Sequence, residues 1–140
     1  MKENIIVDTG PLIALIDNRD RRHAWARAQF ADIVPPLRTC EAVLSEAIFL
    51  SRRVAGGLPA ILGLFEKKVC SLEFVLAPTF EEVAAKLQRY AEIPMSLADG
   101  CLVRMSESLP DSVILTLDGD FRVYRRHKRE KIPLLIPPDV

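Results

Sequence analysis

No stretch of this sequence approaches the roughly 18 consecutive apolar residues that a membrane-crossing helix needs. Cysteine is scarce: Cys40, Cys70 and Cys101 are odd in number, widely spaced and free of any Cys-x-x-Cys pair. That pattern argues against a disulfide framework and a thiolate zinc site, and it fits a reducing compartment. The two histidines, His23 and His127, are too isolated to form a metal pair, and His23 reads as a residue packing at a helix start. Net charge is also missing, because 19 basic side chains cancel 19 acidic ones. No global field therefore recruits nucleic acid or membrane, and only local clustering carries that information. The opening Met-Lys-Glu-Asn sets an acid ahead of a very short apolar run, unlike a signal peptide, so cytoplasmic residence is expected. There is no internal repeat, low-complexity segment or dividing linker.

What remains is an ordinary globular composition, 49% hydrophobic and 27% charged, in 140 residues. This predicts one domain, 1–140, with one substantial core. Ile5-Ile6-Val7 is a β-branched run suited to a strand buried on both faces of a parallel sheet. Pro11 suits the first position of a following helix, which the charged stretch 17–22 ends. A second helix is expected over about His23 to Ile33, and a short strand at Leu37-Arg38-Thr39. A long helix from Cys40 to Ala55 should stop at Gly56-Gly57, with another over about Pro59 to Lys68. Glu73 to Leu76 reads as a strand, Thr79 to Ala91 as a helix capped by Thr79, and Ser96 to Ser108 as a helix opened by Ser96. The strand signal returns at Ser112 to Leu117, followed by a turn at Asp118-Gly119-Asp120. A helix over Phe121 to His127 and a last strand at Leu134 to Ile136 complete the reading. Strands separated by helices imply βαβ units and a mainly parallel sheet in an α/β fold.

In open parallel sheets the functional groups lie at the carboxyl ends of the strands. Asp8 and Asp118 both follow a hydrophobic strand, and each has a hydroxyl nearby, Thr9 and Thr116. Taken singly, either acid reads equally well as a helix cap. Within the long helix, Ala47, Leu50 and Val54 fall within about 40° of Val43 at roughly 100° per residue and define the buried side. Glu46 lies about 60° from Val43, on the border of that face, whereas Glu41 lies about 160° away and reads as a first-turn acid facing solvent. Asp99 flanks the apolar face formed by Ala98, Cys101, Leu102 and Met105, at about 60° from Leu102. Ser96 to Asp99 also resembles a capping box, which alone accounts for that acid.

The set of acids carries more than its members. Asp8, Glu46, Asp99 and Asp118, with Asp120 as a possible fifth, each occupy a strand end or the edge of a buried helix face. Carboxylates gathered without Lys or Arg repel unless a divalent cation holds them. All-oxygen ligands select Mg²⁺ or Mn²⁺ over zinc, and such a site supports phosphodiester cleavage.

At these residues the chain resembles the PIN domain family, and within it the VapC-type toxins of type II toxin–antitoxin pairs. The resemblance covers nearly the whole chain. It rests on Val7-Asp8-Thr9, Leu44-Ser45-Glu46-Ala47, Leu97-Ala98-Asp99-Gly100 and Leu115-Thr116-Leu117-Asp118-Gly119-Asp120-Phe121. It implies a three-layer α/β/α fold and a Mg²⁺- or Mn²⁺-dependent endoribonuclease. Asp8, Glu46, Asp99 and Asp118 would be the catalytic acids and metal ligands, with Asp120 at a more variable acidic position. Thr116, matching a recurrent hydroxyl, and Thr9 would orient the acids. The implied partners are an RNA substrate, a small antitoxin that enters the acidic cleft, and a second copy in a homodimer.

From Arg122 to Lys131 six basic residues stand against one Glu, directly after the Asp118-Gly119-Asp120 turn. This is either a solvated face or an RNA-binding segment in which Arg122, Arg125, Arg126 and Lys128 meet phosphates beside Tyr124. Arg19, Arg21 and Arg22 would extend the same surface. Trp25 and Phe30 read as core or dimer contacts, and Phe49, Phe65 and Phe74 as core.

Two other functions compete. An aspartate-nucleophile phosphatase of the haloacid-dehalogenase type also ends its first strand in Asp, but it places a second Asp two residues on, where this chain has Gly10. A catalytically silent module binding RNA or protein through the same cleft would be expected to have lost an acid, and none is missing.

Overall fold

The β-branched run Ile5–Val7 forms β1, fully buried, at the middle of a five-stranded sheet in the computed structural model, which describes residues 1–140. The other strands are β2 (Leu37–Thr39), β3 (Cys70–Leu72), β4 (Val113–Leu115) and, after a two-stranded hairpin of β5 (Arg125–Arg126) and β6 (Glu130–Lys131), β7 (Leu134–Leu135). The sheet order is β3-β2-β1-β4-β7, and every pairing in it is parallel. Val7 pairs with Leu115, so the ends of β1 and β4 lie level. The chain runs outward from β1 through β2 to β3 and then returns to the other side of β1. The strand order therefore reverses between β1 and β4, and the crevice at their carboxyl ends is where an α/β sheet of this kind binds ligands.

Six helices flank this sheet: α1 (Thr9–Ile16), α2 (His23–Ala31), α3 (Glu41–Ser51), α4 (Gly57–Glu66), α5 (Phe80–Arg89) and α6 (Leu97–Ser108). The architecture is the α/β fold expected from the sequence. One core cluster joins β1 and β4 to Val43 and Ala47 of α3 and to Ala98, Cys101, Leu102 and Met105 of α6. At Gly100 an added Cβ would lie 3.2 Å from Val83 and 3.3 Å from Leu87, so the glycine lets α5 close on the turn that carries Asp99. The three cysteines are buried and free, and no helix is long and apolar enough to cross a membrane.

Several elements differ from the sequence reading. Helix α1 starts at Thr9, two residues before Pro11, which is tolerated because the first four amides of a helix have no internal acceptor. Helix α3 ends at Ser51 rather than Ala55, in turns that lead to Gly56 with φ 68°. The third strand is Cys70–Leu72 and not Glu73–Leu76. Residues 73–76 do alternate in burial, with Phe74 and Leu76 inward, but the neighbouring strand ends at Thr39 opposite Leu72 and leaves them nothing to pair with. Thr79 does not cap α5 with its side chain; its hydroxyl donates to the Leu76 carbonyl in a preceding 3-10 turn. The helix expected over Phe121 to His127 is a 3-10 turn, Gly119–Arg122, followed by β5. His127 and Lys128 adopt left-handed φ of 49° and 68° in the tight loop that joins β5 to β6. Phe49 is 58% exposed and is not core, while Phe65 and Phe74 pack partly buried against the core, as do Trp25 and Phe30. His23 does sit at a helix start, its Nδ1 2.8 Å from the Ala14 carbonyl oxygen.

Candidate active site

The chain leaves β1 in extended conformation at Asp8, which caps α1 by accepting the Thr9 N–H at 2.7 Å through Oδ1. Its other oxygen, Oδ2, accepts the hydroxyl of Thr116 at 2.8 Å, from a residue 108 positions later. The Thr116 hydroxyl in turn accepts the Asp118 N–H at 3.0 Å, so one buried side chain sets both acids at the ends of adjacent strands. Asp118 then accepts the Asp120 N–H at 2.9 Å, which opens the 3-10 turn. Asp99 lies in the first turn of α6 in a capping box with Ser96. On α3, Glu46 accepts the Thr9 hydroxyl at 3.2 Å. Asp8 thus caps α1 with one oxygen and is tied to Thr116 by the other, while Asp99 Oδ2 belongs to the capping box.

Asp8, Glu46, Asp99, Asp118 and Asp120 line one cleft of about 440 Å³ together with Thr9, Gly10, Leu50, Pro94, Ser96 and Leu117. No Lys or Arg lines it. The acids are not drawn to one point, and no three of them form a ready ion cage. Burial raises the Asp8 carboxyl to about 7, against the lowering effect of the Thr116 and Thr9 hydrogen bonds, with the charges of Asp99 and Asp118 adding to the rise. Burial also raises Asp99, helped by the Asp118 charge, and Asp120 is raised by burial and by Asp118. Carboxylates in mutual repulsion without a protein cation are a hard, all-oxygen donor set, the kind that suits Mg²⁺ or Mn²⁺.

A functional side chain that the sequence reading placed elsewhere is Tyr124. It is fully buried rather than presented beside the basic residues, and its hydroxyl donates to Asp99 Oδ2 at 3.0 Å. Two rings hold it, Tyr90 at 5.1 Å and Phe121 at 5.2 Å between centroids. Burial, followed by the Asp99 charge, pushes its phenol well above the usual range, so it remains a donor. In the structure Tyr124 and Arg126 point inward while Val123 points out and Arg125 is half-buried, the alternation of an extended chain. It escapes notice in the sequence because the inward residues are polar.

The basic segment divides. Arg126 is a correction: it is 6% exposed and serves the fold, donating to the carbonyls of Ser106 at 3.1 Å and Pro110 at 3.2 Å and to Glu130 at 2.8 Å. It has no face left for a phosphate. Arg125 turns back onto the carbonyls of Arg122, Val123 and Tyr124, and Arg122 reaches those of Val140 and Pro137. Lys128 is exposed. Arg22 is tied to Asp139 by two bonds of 2.9 and 3.0 Å. None of these residues lines the acidic cleft. Arg126→Ala is therefore expected to lower stability by about 2–3 kcal/mol, since it strips donors from the buried Ser106 carbonyl and the part-buried Pro110 carbonyl, while leaving the salt slope of RNA binding unchanged. Chemical denaturation and a salt titration check the two halves of that statement.

The sequence profile of the PIN domain matches residues 5–127. No curated protein sequence matches the chain. Among solved structures, the crystal structure of Mycobacterium tuberculosis VapC20, described as a toxin that cleaves the sarcin-ricin loop, is similar with a TM-score of 0.75 and 27% sequence identity. The match covers 92% of this chain and 99% of that one.

Proposed function

Because the chain belongs to the PIN domain family, with the fold of a VapC-type toxin, we propose that it is a divalent-metal-dependent endoribonuclease and the toxin of a toxin–antitoxin pair. The observation that carries this reading is the cleft whose wall holds five acids and no protein cation. Asp8, Glu46, Asp99 and Asp118 would hold Mg²⁺ or Mn²⁺, with Asp120 at the rim. When bound, such an ion activates a water and steadies the attacking and leaving oxygens of a phosphodiester. The chain's own part is positioning. Thr116 fixes the Asp8 carboxylate and the backbone of Asp118, Tyr124 fixes Asp99, and Thr9 fixes Glu46. Burial of Asp8 and Asp99 keeps the dielectric low, so their interaction with a cation is strong.

Purified protein given RNA in Mg²⁺ or Mn²⁺ should cleave it, and chelation should stop the reaction. A fragment bearing the sarcin-ricin loop is the first substrate to try, by analogy with VapC20. Absence of cleavage with either ion, on that fragment and on unstructured RNA, would remove the catalytic assignment. A small antitoxin whose tail enters the cleft, a homodimer and cytoplasmic residence belong to the same proposal.

Tyr124 supplies a test separate from the ligands. In Tyr124→Phe the buried Asp99 Oδ2 loses a hydrogen bond, and outer-shell partners of this kind affect metal affinity by 10–100-fold. We expect Mn²⁺ affinity to fall by about tenfold, read by calorimetric titration, with the far-ultraviolet circular dichroism unchanged.

A further inference from the structure

Helix α3 does more than carry Glu46. At about 100° per residue, Phe49 and Leu50 fall within roughly 60° of Glu46, so one face runs from the acid toward the carboxyl end of the helix, where Arg52 and Arg53 follow in a turn closed by the Arg53 N–H on the Leu50 carbonyl at 3.2 Å. Glu46 and Leu50 line the acidic cleft. Phe49, one turn beyond Glu46, is the anomaly on this face, a large aromatic side chain left 58% exposed. The guanidinium of Arg52 lies over its ring, 5.5 Å from the centroid. Arg52 and Arg53 are exposed and make no ion pair with any carboxylate. The basic hairpin further along the chain, by contrast, spends most of its guanidinium groups on backbone carbonyls.

An exposed aromatic ring backed by unpaired guanidinium groups has the chemistry of a nucleobase platform. The ring offers a stacking surface and the cations meet the adjoining phosphates. Its position next to the cleft matters, because a chain whose phosphodiester lies among the acids must place a neighbouring nucleotide on one side of them. We propose that Phe49, with Arg52 and Arg53, stacks an unpaired RNA base flanking the bond to be cut and binds the phosphate beside it. The idea rests on the nuclease reading and adds to it a binding residue on α3. The occupant is single-stranded RNA rather than another protein surface, since the polar half of the patch is two cations without a carboxylate partner, within three residues of Leu50 in the wall of a cleft that would hold the same backbone.

The test measures binding of an unstructured RNA of about ten nucleotides, within the span that single-strand grooves cover, carrying one 2-aminopurine. Chelator is present, so binding is read by anisotropy and quenching without cleavage. Phe49→Leu should bind about tenfold more weakly and lose the quenching, and Phe49→Trp should retain both. Arg52→Gln with Arg53→Gln should flatten the logarithmic salt slope by about 1.4, the value for two phosphate contacts on a single strand. Mn²⁺ affinity of every variant should match the unsubstituted protein, which shows the acidic cleft intact. Unchanged RNA binding by Phe49→Leu overturns the proposal, as does failure of the unsubstituted protein to bind the oligonucleotide. So does a change in oligomeric state with Phe49→Leu, by light scattering, because the face would then be a contact between copies. Phe49-dependent binding by a protein that cleaves no RNA supports the platform and removes the nuclease reading alone.

Discussion

Asp8→Asn is expected to cut Mg²⁺-dependent RNA cleavage by about a thousandfold, equivalent to roughly 4 kcal/mol of transition-state stabilisation, while leaving the fold intact. The substitution keeps the shape and the capping oxygen, and Asn caps helices about as well as Asp. What it removes is the negative charge on the most deeply placed acid of the cleft, 7% exposed and touching the ends of both central strands through its hydrogen bonds. A single-turnover assay at saturating Mg²⁺ separates this from weak binding, because added metal should not restore the rate. Cleavage undiminished in the purified variant would mean that Asp8 is only a cap. Circular dichroism guards against the trivial explanation of unfolding.

The metal-free protein should lose stability as pH rises from about 4 to about 7. Asp8 is held near 7 when folded against a usual value of 3.8. In that window the folded state keeps a proton that the unfolded state has released, so the unfolded state binds fewer protons and the stability slope with pH is negative. Below about 4 both states are protonated and the group contributes nothing. Above about 7 the full penalty is present, at most about 4 kcal/mol for a shift of this size. Asp99, shifted the same way, adds to it. A divalent cation binding only the folded state works in the opposite sense, adding about 2.7 kcal/mol at a hundredfold excess over its dissociation constant. Calorimetry at pH 5 and pH 8, in chelator and in Mn²⁺, should show the gap between the two conditions widening at the higher pH. Asp8→Asn should flatten the chelator curve. A metal-free protein more stable at pH 8 than at pH 5 contradicts the placement of these carboxylates.

These expectations turn on features of unequal legibility. The run Ile5-Ile6-Val7 ends in Asp8, and a β-branched strand followed by a capping acid can be read from neighbouring residues alone. The same holds for Ser96 with Asp99, whose hydrogen bonds span three residues. The edge strand is harder, because Cys70-Ser71-Leu72 has no β-branched residue and is a strand only by virtue of lying beside Leu37–Thr39. Tyr124 and Arg126 were legible as residues but not as buried ones. A basic run reads as surface, and its inward members are recognisable only once Asp99 and the carbonyls of Ser106 and Pro110 are seen to receive them.

The sequence by itself determined the α/β class, the four acids worth watching and the hydroxyls beside two of them, because periodicity, capping and turn chemistry act over a few residues. Tertiary structure decided which atoms meet. Thr116 reaches Asp8 only because β1 and β4 are neighbours in the sheet, and the Asp8 carboxyl is raised only because the fold buries it. Whether Phe49 is core or surface was likewise settled by what packs on α3, since helical spacing gives a side chain's direction but not the element it faces.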